Sequence, residues 1–220
     1  MRYSVLSFDL DGTLVDTAAE IAEAVNRTLA EFGVPRQDEE RITRHIGHGA
    51  HDTLLRVLAD LLLAEPDRAE RLRPDAVLPR WEAHYGTLAG RQAKPYPGCA
   101  EMLRALCLGG VRLACLTNKE HRHAQQVLRR CGLASAFDFV LGGDSLPQRK
   151  PDPATLRQFG WVLLDAQRFG AARLAFLHAS ELDDQNQVPL RELAEARLRS
   201  GEFALGRRTV ERLLSLRPGE

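Results

Sequence analysis

The sequence predicts an α/β protein: a parallel sheet with a helical insert after its first strand, followed by α-helical hairpins. Three observations predict it. Short apolar strands ("YSVLSFDLDG", "VRLACLTNK" and "FDFVLGGD") are separated by helical stretches, the pattern of parallel βαβ units. A helical block from residue 17 to about residue 90 lies between the first and second strands. From Pro153 onward no strand is evident. There Leu156 and Leu190, Arg157 and Arg191, Phe169 and Phe203, Arg173 and Arg207, and Leu182 and Leu216 all recur at an offset of 34.

The elements follow in order. The first strand runs apolar from Val5 to Leu10 and is broken by Gly12. Residues 18–32 read as a helix with Ile21, Val25, Leu29 and Phe32 on one stripe and Gly33 as its stop. Residues 38–46 and 50–63 are expected helices separated by "GHG", and residues 67–85 a weaker helical stretch interrupted at Pro74 and Pro79. "AKPYPGC", residues 93–99, reads as a rigid proline-rich linker. Residues 100–108 form a helix stopped by Gly109 and Gly110, and residues 121–130 one stopped by Gly132.

Bulk properties narrow the function classes. Thirty basic and thirty acidic residues cancel across 220, so no global field favours nucleic acid or an anionic membrane. No apolar run approaches the ~20 residues of a membrane span, and "MRYSVLSFDLDG" is too short in apolar residues for a signal peptide. The expected partners exclude nucleic acid and membrane, and the expected location is the cytoplasm. Cys99, Cys107, Cys115 and Cys131 show no metal-ligand spacing and read as reduced thiols, Cys115 in a buried strand and Cys131 at a helix end.

The chemistry is announced by "FDLDGTLVDT". Asp9 and Asp11 flank one residue at a strand's end, and residues i and i+2 of a strand share a side. Two such carboxylates can hold Mg²⁺ beside a phosphate, one attacking phosphorus while the other handles a proton. The full string, with "LTNK" after the second strand and "QRKPDP" after the third, resembles the haloacid dehalogenase (HAD) superfamily of aspartate-dependent phosphatases. "PYPGC" and "GGDSLPQRKPDP" look like its phosphoglycolate phosphatases.

The resemblance implies a Rossmann-like sheet, Mg²⁺ as cofactor and a small phosphorylated substrate. It makes Asp9 the nucleophile and Asp11 the general acid/base, with Mg²⁺ bound by the Asp9 carboxylate and the Asp11 backbone carbonyl. Thr13 would support the loop, Thr117 and Asn118 would bind phosphoryl oxygens, and Lys150 would neutralise charge on Asp9 and the transferring group. "RHIGHGAHDTL" resembles the loop of a cap domain that faces substrate, which nominates Arg44, Gly47, His48 and Gly49. Residues 1–16 and 94–152 would then be the core, 17–93 the cap, and 153–220 a separate helical tail.

The resemblance ends near residue 153. The family's fourth motif is a strand ending in GDxxxD, about 25 residues after the lysine. Forcing "HASELD" into that place puts Ala179 where the first carboxylate belongs. The 34-residue period is that of tetratricopeptide helices, and it accounts for the same residues better. The HAD-type sheet is therefore expected to be incomplete, leaving an unpaired apolar edge on its first strand. Three functions follow: a Mg²⁺-dependent hydrolase of 2-phosphoglycolate or a similar ester, impaired by the missing motif; a catalytically dead remnant that binds a protein partner or self-associates through residues 153–220; or a chimeric reading frame joining two genes.

Overall fold

In the computed structural model, residues 5–145, 147–150, 152–165, 169–182 and 187–216 are described. They form two compact units, Tyr3–Ser145 and Leu146–Glu220. The first unit is built on a three-stranded parallel sheet. β1 (Val5–Phe8) pairs with β4 (Arg112–Leu116), Val5 opposite Arg112, and β4 pairs with β5 (Phe139–Leu141), Ala114 opposite Phe139. The order β1-β4-β5 leaves β1 at an edge of this sheet. β4 is the central strand, and its Leu113–Leu116 are all buried, the near-continuous apolar run expected of a strand covered on both faces.

Chain leaves β1 through a tight turn and enters a two-residue strand, β2 (Val15–Asp16). The insert follows: α1 (Ala18–Glu31), α2 (Glu39–Thr43), α3 (Ala50–Ala64) and α4 (Pro74–Leu88). It returns along β3 (Lys94–Pro95), which pairs antiparallel with β2. The segment expected to be a plain linker thus carries a short ladder that ties the two ends of the insert together. α5 (Cys99–Leu108) and α6 (His121–Arg130) connect the sheet strands as the alternation predicts.

Each insert helix is held by one apolar stripe. α1 buries Ile21, Val25 and Leu29, α3 buries Leu54, Val57, Leu58 and Leu61, and α4 buries Val77, Trp81, Tyr85 and Leu88. These side chains share one core with Leu113 and Cys115 of β4 and Ala124, Val127 and Leu128 of α6. Two expectations are corrected here. The helix expected over 38–46 closes at Thr43, because the next amides bond three residues back, His45 to Ile42 and Ile46 to Thr43, and the chain then turns through Gly47 and Gly49. The stretch expected to break at Pro74 and Pro79 instead starts at Pro74, a favoured first position, after a single 3₁₀ turn at Pro66–Arg68, and runs through Pro79. Burial of Trp81 and Tyr85 beyond Pro79 outweighs the missing backbone bond.

The second unit is helical throughout its described residues: α7 (Pro153–Asp165), α8 (Phe169–Leu182), α9 (Gln187–Arg199) and α10 (Phe203–Ser215), each packed on the next. Gly160 of α7 is a contact point. A Cβ there would lie 2.5 Å from the ring of Phe176, which also meets Trp161 edge-on at 5.8 Å. Buried Glu192 of α9 is gripped by the Arg157 guanidinium through two bonds of 2.9 and 2.8 Å, and accepts from Trp161 Nε1 at 2.8 Å. The α7–α9 register is thereby fixed by charge-assisted bonds as well as by packing. Residues 169–182 lie in a helix, so Ala179 is a buried helical residue and not the end of a strand. Asp183 lies outside the described residues.

No helix among the described residues is long and apolar enough to cross a membrane. The four cysteines form no disulfide with one another; Cys99 and Cys115 are buried, Cys131 partly buried and Cys107 exposed.

Pro79 is exposed on α4 and removes one helical hydrogen bond, so Pro79→Ala is expected to stabilise the chain by about 1–2 kcal/mol, part of the helical gain being offset by a more flexible unfolded chain. Urea denaturation of the two proteins checks it, and equal or lower stability in the variant would show that α4 is already bent to accommodate the proline.

Candidate active site

β1 ends at Phe8, so Asp9 and Asp11 lie just past the strand, in the turn that leads to β2. Leu10 between them is fully buried and anchors that turn: its carbonyl accepts from Leu14 at 3.0 Å and Val15 at 3.1 Å. Gly12 carries φ +75, a left-handed conformation open to glycine at little cost, and its amide bonds the Val15 carbonyl at 3.0 Å. The DGT sequence is therefore the geometry of a tight loop that turns both carboxylates toward one pocket. Asp9, Asp11, Thr117, Asn118, Lys119, Gly47 and Gly49 are among its lining residues.

The opposite wall is "LTNK", which follows β4. Thr117 N–H donates to Leu141 O at 3.0 Å, carrying the β4–β5 ladder one residue further, and Thr117 Oγ1 accepts from Lys119 N at 3.2 Å. This loop is clamped from below by the two glycines after β5. A Cβ on Gly142 would sit 2.2 Å from the His121 nitrogen, and one on Gly143 2.2 Å from the Asn118 carbonyl oxygen, so neither position admits a side chain. Asp144 completes the clamp, accepting from His121 N–H at 2.6 Å at the start of α6, where a carboxylate is favoured by the helix dipole. "GGD" is thus the support for the Thr117–Lys119 loop. Asn118 Nδ2 reaches across to Gly47 O at 3.1 Å and joins the wall to the turn after α2.

The residue that the sequence reading did not single out is Lys119. It is fully buried, and its ammonium donates to both Asp11 oxygens at 2.9 and 3.2 Å while lying 4.9 Å from the centroid of the buried Tyr85 ring. Thr17 Oγ1 donates to Asp11 at 2.6 Å, so three donor contacts fix that carboxylate. Tyr85 is itself stacked on Trp81 at 4.9 Å and met edge-on by His123 at 4.8 Å. Burial, foremost, and the nearby carboxylates push the Tyr85 hydroxyl well above the ordinary tyrosine range.

Glu20 of α1 is the second buried charge. Its carboxylate accepts from Gly90 N at 2.7 Å, Ala93 N at 3.2 Å and Gln92 N at 3.4 Å, and so grips the segment where the insert returns to the sheet. Burial raises its pKa above the ordinary glutamate value, and the Gly90 amide and the Lys119 charge oppose that rise.

Thr13, Arg44 and His48 are not among the lining residues of this pocket. Thr13 is exposed, and its amide bonds Leu10 O at 3.3 Å. His48 is exposed, and Arg44 pairs with Asp60 on α3; neither lines the pocket. Lys150 lies in the second unit, half-buried at a turn before α7. Among the described residues no group of three or more His, Cys, Asp or Glu gathers as a metal site.

The pocket lies at the carboxyl ends of parallel strands, where an α/β fold commonly carries its site, with Asp9 and Asp11 on one side and a Thr-Asn-Lys loop on the other. The family described as haloacid dehalogenase-like hydrolase matches residues 6–160, and the chain belongs to that family. The match ends inside α7, so residues 153–160 of that helix fall within the family's span.

Among curated relatives, the phosphoglycolate phosphatase of Rhodospirillum rubrum is 43% identical over 161 residues, 72% of this chain and 64% of that protein. That of Thiobacillus denitrificans is 39% identical over 148 residues, 67% of this chain and 64% of the relative. The chain therefore spans about 64% of the length of these relatives. Of solved structures, a predicted phosphoglycolate phosphatase from Haemophilus somnus 129pt superposes with a TM-score of 0.64 at 29% identity, over 76% of this chain and 73% of that one.

Glu20 supplies a pH test. A pKa raised in the folded state means that its stability contribution is fully present below the unfolded value and is lost as pH rises through the folded one. Glu20→Gln keeps an acceptor for the Gly90 amide and removes the charge. It is expected to flatten the stability profile from the ordinary glutamate value upward, read by urea denaturation at a series of pH values. A wild-type slope that the substitution leaves unchanged would contradict the assignment.

Proposed function

We propose that the chain is a phosphomonoester hydrolase that acts on 2-phosphoglycolate or a similar small phosphorylated acid through an aspartyl-phosphate on Asp9. The observation that supports it most is the convergence of Asp9, Asp11, Thr117 and Asn118 on one pocket, in a chain whose relatives are named phosphoglycolate phosphatases.

In this reading an Asp9 carboxylate oxygen attacks phosphorus in line with the ester oxygen. The ester P–O bond breaks, and Asp11 delivers a proton to the leaving alkoxide. Water then attacks the aspartyl-phosphate, Asp11 takes the water's proton, and phosphate leaves with the Asp9 carboxylate restored. The contacts that Asp11 receives from Lys119 and Thr17 hold its carboxylate in one place through both half-reactions. Thr117 and Asn118 donate to the phosphoryl oxygens, and Lys150 serves as the charge-neutralising lysine of the third motif.

The donors fit Mg²⁺, a hard cation that keeps water and phosphate oxygens in its shell and needs few protein ligands. The Asp9 carboxylate and the Asp11 backbone carbonyl would hold it, and when bound it neutralises charge on the phosphoryl oxygens. No group of three or more His, Cys, Asp or Glu gathers around them among the described residues. Residues 17–93 act as the cap. Gly47 and Gly49 are its pocket-facing elements, and Arg44 and His48 act on a substrate carboxylate once Arg44 releases Asp60. Residues 153–220 form a tetratricopeptide-like tail that contacts a protein, and the repeat of helical hairpins α7–α8 and α9–α10 favours that part of the reading.

Hydrolysis of 2-phosphoglycolate by the purified chain is expected to require Mg²⁺ and to fall at least about 10³-fold in Asp9→Asn. Equal background rates in wild type and variant, with and without Mg²⁺, would leave the binding role of the tail as the surviving reading.

A further inference from the structure

Tyr85 of the insert takes no part in the chemistry described above. It sits on α4, is fully buried and is not among the residues lining the pocket. The Lys119 ammonium nonetheless lies 4.9 Å from the centroid of its ring, within the range of a cation–π contact. The same ammonium donates to both Asp11 oxygens, at 2.9 and 3.2 Å. A line of contacts thus runs from an insert helix, through one lysine, to the carboxylate assigned to proton transfer.

The two ends of Lys119 are held by different parts of the fold. Its backbone N–H donates to Thr117 Oγ1 at 3.2 Å, and its carbonyl accepts from Gly143 N–H at 2.8 Å. Between that fixed backbone and the ammonium lies a flexible aliphatic stem, which places nothing by itself. The head is placed by Asp11 and by the Tyr85 ring. That ring is itself held. Trp81 stacks on it with centroids 4.9 Å apart and planes 18° apart, and His123 meets it edge-on at 4.8 Å. Trp81, Tyr85, His123 and Lys119 are all 0% exposed. Solvent does not reach the ammonium, and in so dry a site a ring face attracts a cation more strongly than at a surface. An aliphatic side chain would fill the space of the ring but would not attract the ammonium. We propose that Tyr85 is a positioning residue for the hydrolysis, holding the Lys119 ammonium against Asp11 from the insert side. This rests on the reading of Asp11 as the acid/base of an aspartyl-phosphate hydrolase.

Two measurements on the full chain test it. Lys94, Lys119 and Lys150 are its only lysines, so lysine labelled with carbon-13 at the ε position gives a readily assigned spectrum, with Lys119→Met identifying the Lys119 signal. The Lys119 ε-protons, beside an aromatic face, are expected upfield of the others. They should stay there in Tyr85→Phe, which keeps the ring and gives up only a long hydroxyl bond to Glu20 at 3.5 Å, and move downfield in Tyr85→Leu. In turnover of 2-phosphoglycolate, Tyr85→Leu is expected to lower kcat at least about tenfold with KM little changed, and Tyr85→Phe to stay within about twofold of wild type. In a Lys119→Met background Tyr85→Leu should lower kcat no further, since its effect passes through the lysine. A wild-type spectrum without a ring-shifted lysine overturns the proposal whatever the activity, and needs no variant to fold. So does a shift that survives Tyr85→Leu. Equal kcat in wild type and Tyr85→Leu, with turnover lost in Asp9→Asn, overturns the positioning role alone. Turnover that Asp9→Asn leaves unchanged overturns the hydrolase reading, and the positioning role with it.

Discussion

A single buried ion pair organises the first unit. The Lys119 ammonium, out of contact with solvent, has Asp11 at hydrogen-bond distance and Glu20 nearby. Leaving a buried cation without its partner costs several kcal/mol, so the position of Asp11 is constrained by the fold and not only by its own turn. Through that constraint the first acidic loop, the loop after β4 and the return of the insert become one assembly. Asp11 fixes Lys119, Lys119 lies over Tyr85 of α4, and Glu20 of α1 grips the Gly90–Ala93 amides. The insert is thereby tied to the site at its two ends, first by β2 against β3 and then by Glu20.

The second unit obeys a different logic. It has no sheet among its described residues, and its order comes from consecutive hairpins, a glycine under Phe176 and a carboxylate held by Arg157 and Trp161. The glycine contact joins the consecutive helices α7 and α8, and the carboxylate joins α7 to α9, so the unit is held both between neighbours and across one helix. The family match closes at residue 160, within α7, which belongs wholly to the second unit.

Much of this was legible in the sequence, for identifiable reasons. α5 and α6 were readable because they ended in paired or single glycines, β4 because its apolar run ended in polar residues, and the Asp9 and Asp11 loop because DxDGT specifies a tight turn after a strand. The insert was less so: burial of Trp81 and Tyr85 carries α4 through Pro79, and local propensity cannot report burial. Lys119 was in plain view beside Asn118, yet nothing local separates a buried lysine from a solvated one. Glu20 left a usable signal, since it shares the apolar side of α1 with Ala24 and stands beside Ile21, where a solvated glutamate would not be expected. Gly142 and Gly143 looked like a strand-end turn, and their role as the floor of the Thr117–Lys119 loop appears only when two loops from distant sequence meet.

The central claim is that the first unit forms a phosphoryl-accepting pocket around Asp9 even though the chain departs from its relatives beyond α7. Thermal unfolding of the purified chain with beryllium fluoride and Mg²⁺, a mimic of the aspartyl-phosphate, addresses it most directly because binding is read as stability and not as turnover. The account predicts a rise in the melting temperature of wild type that neither Mg²⁺ nor fluoride alone produces, and no rise in Asp9→Asn. An identical response in both proteins, or none in wild type at saturating reagent, would contradict it.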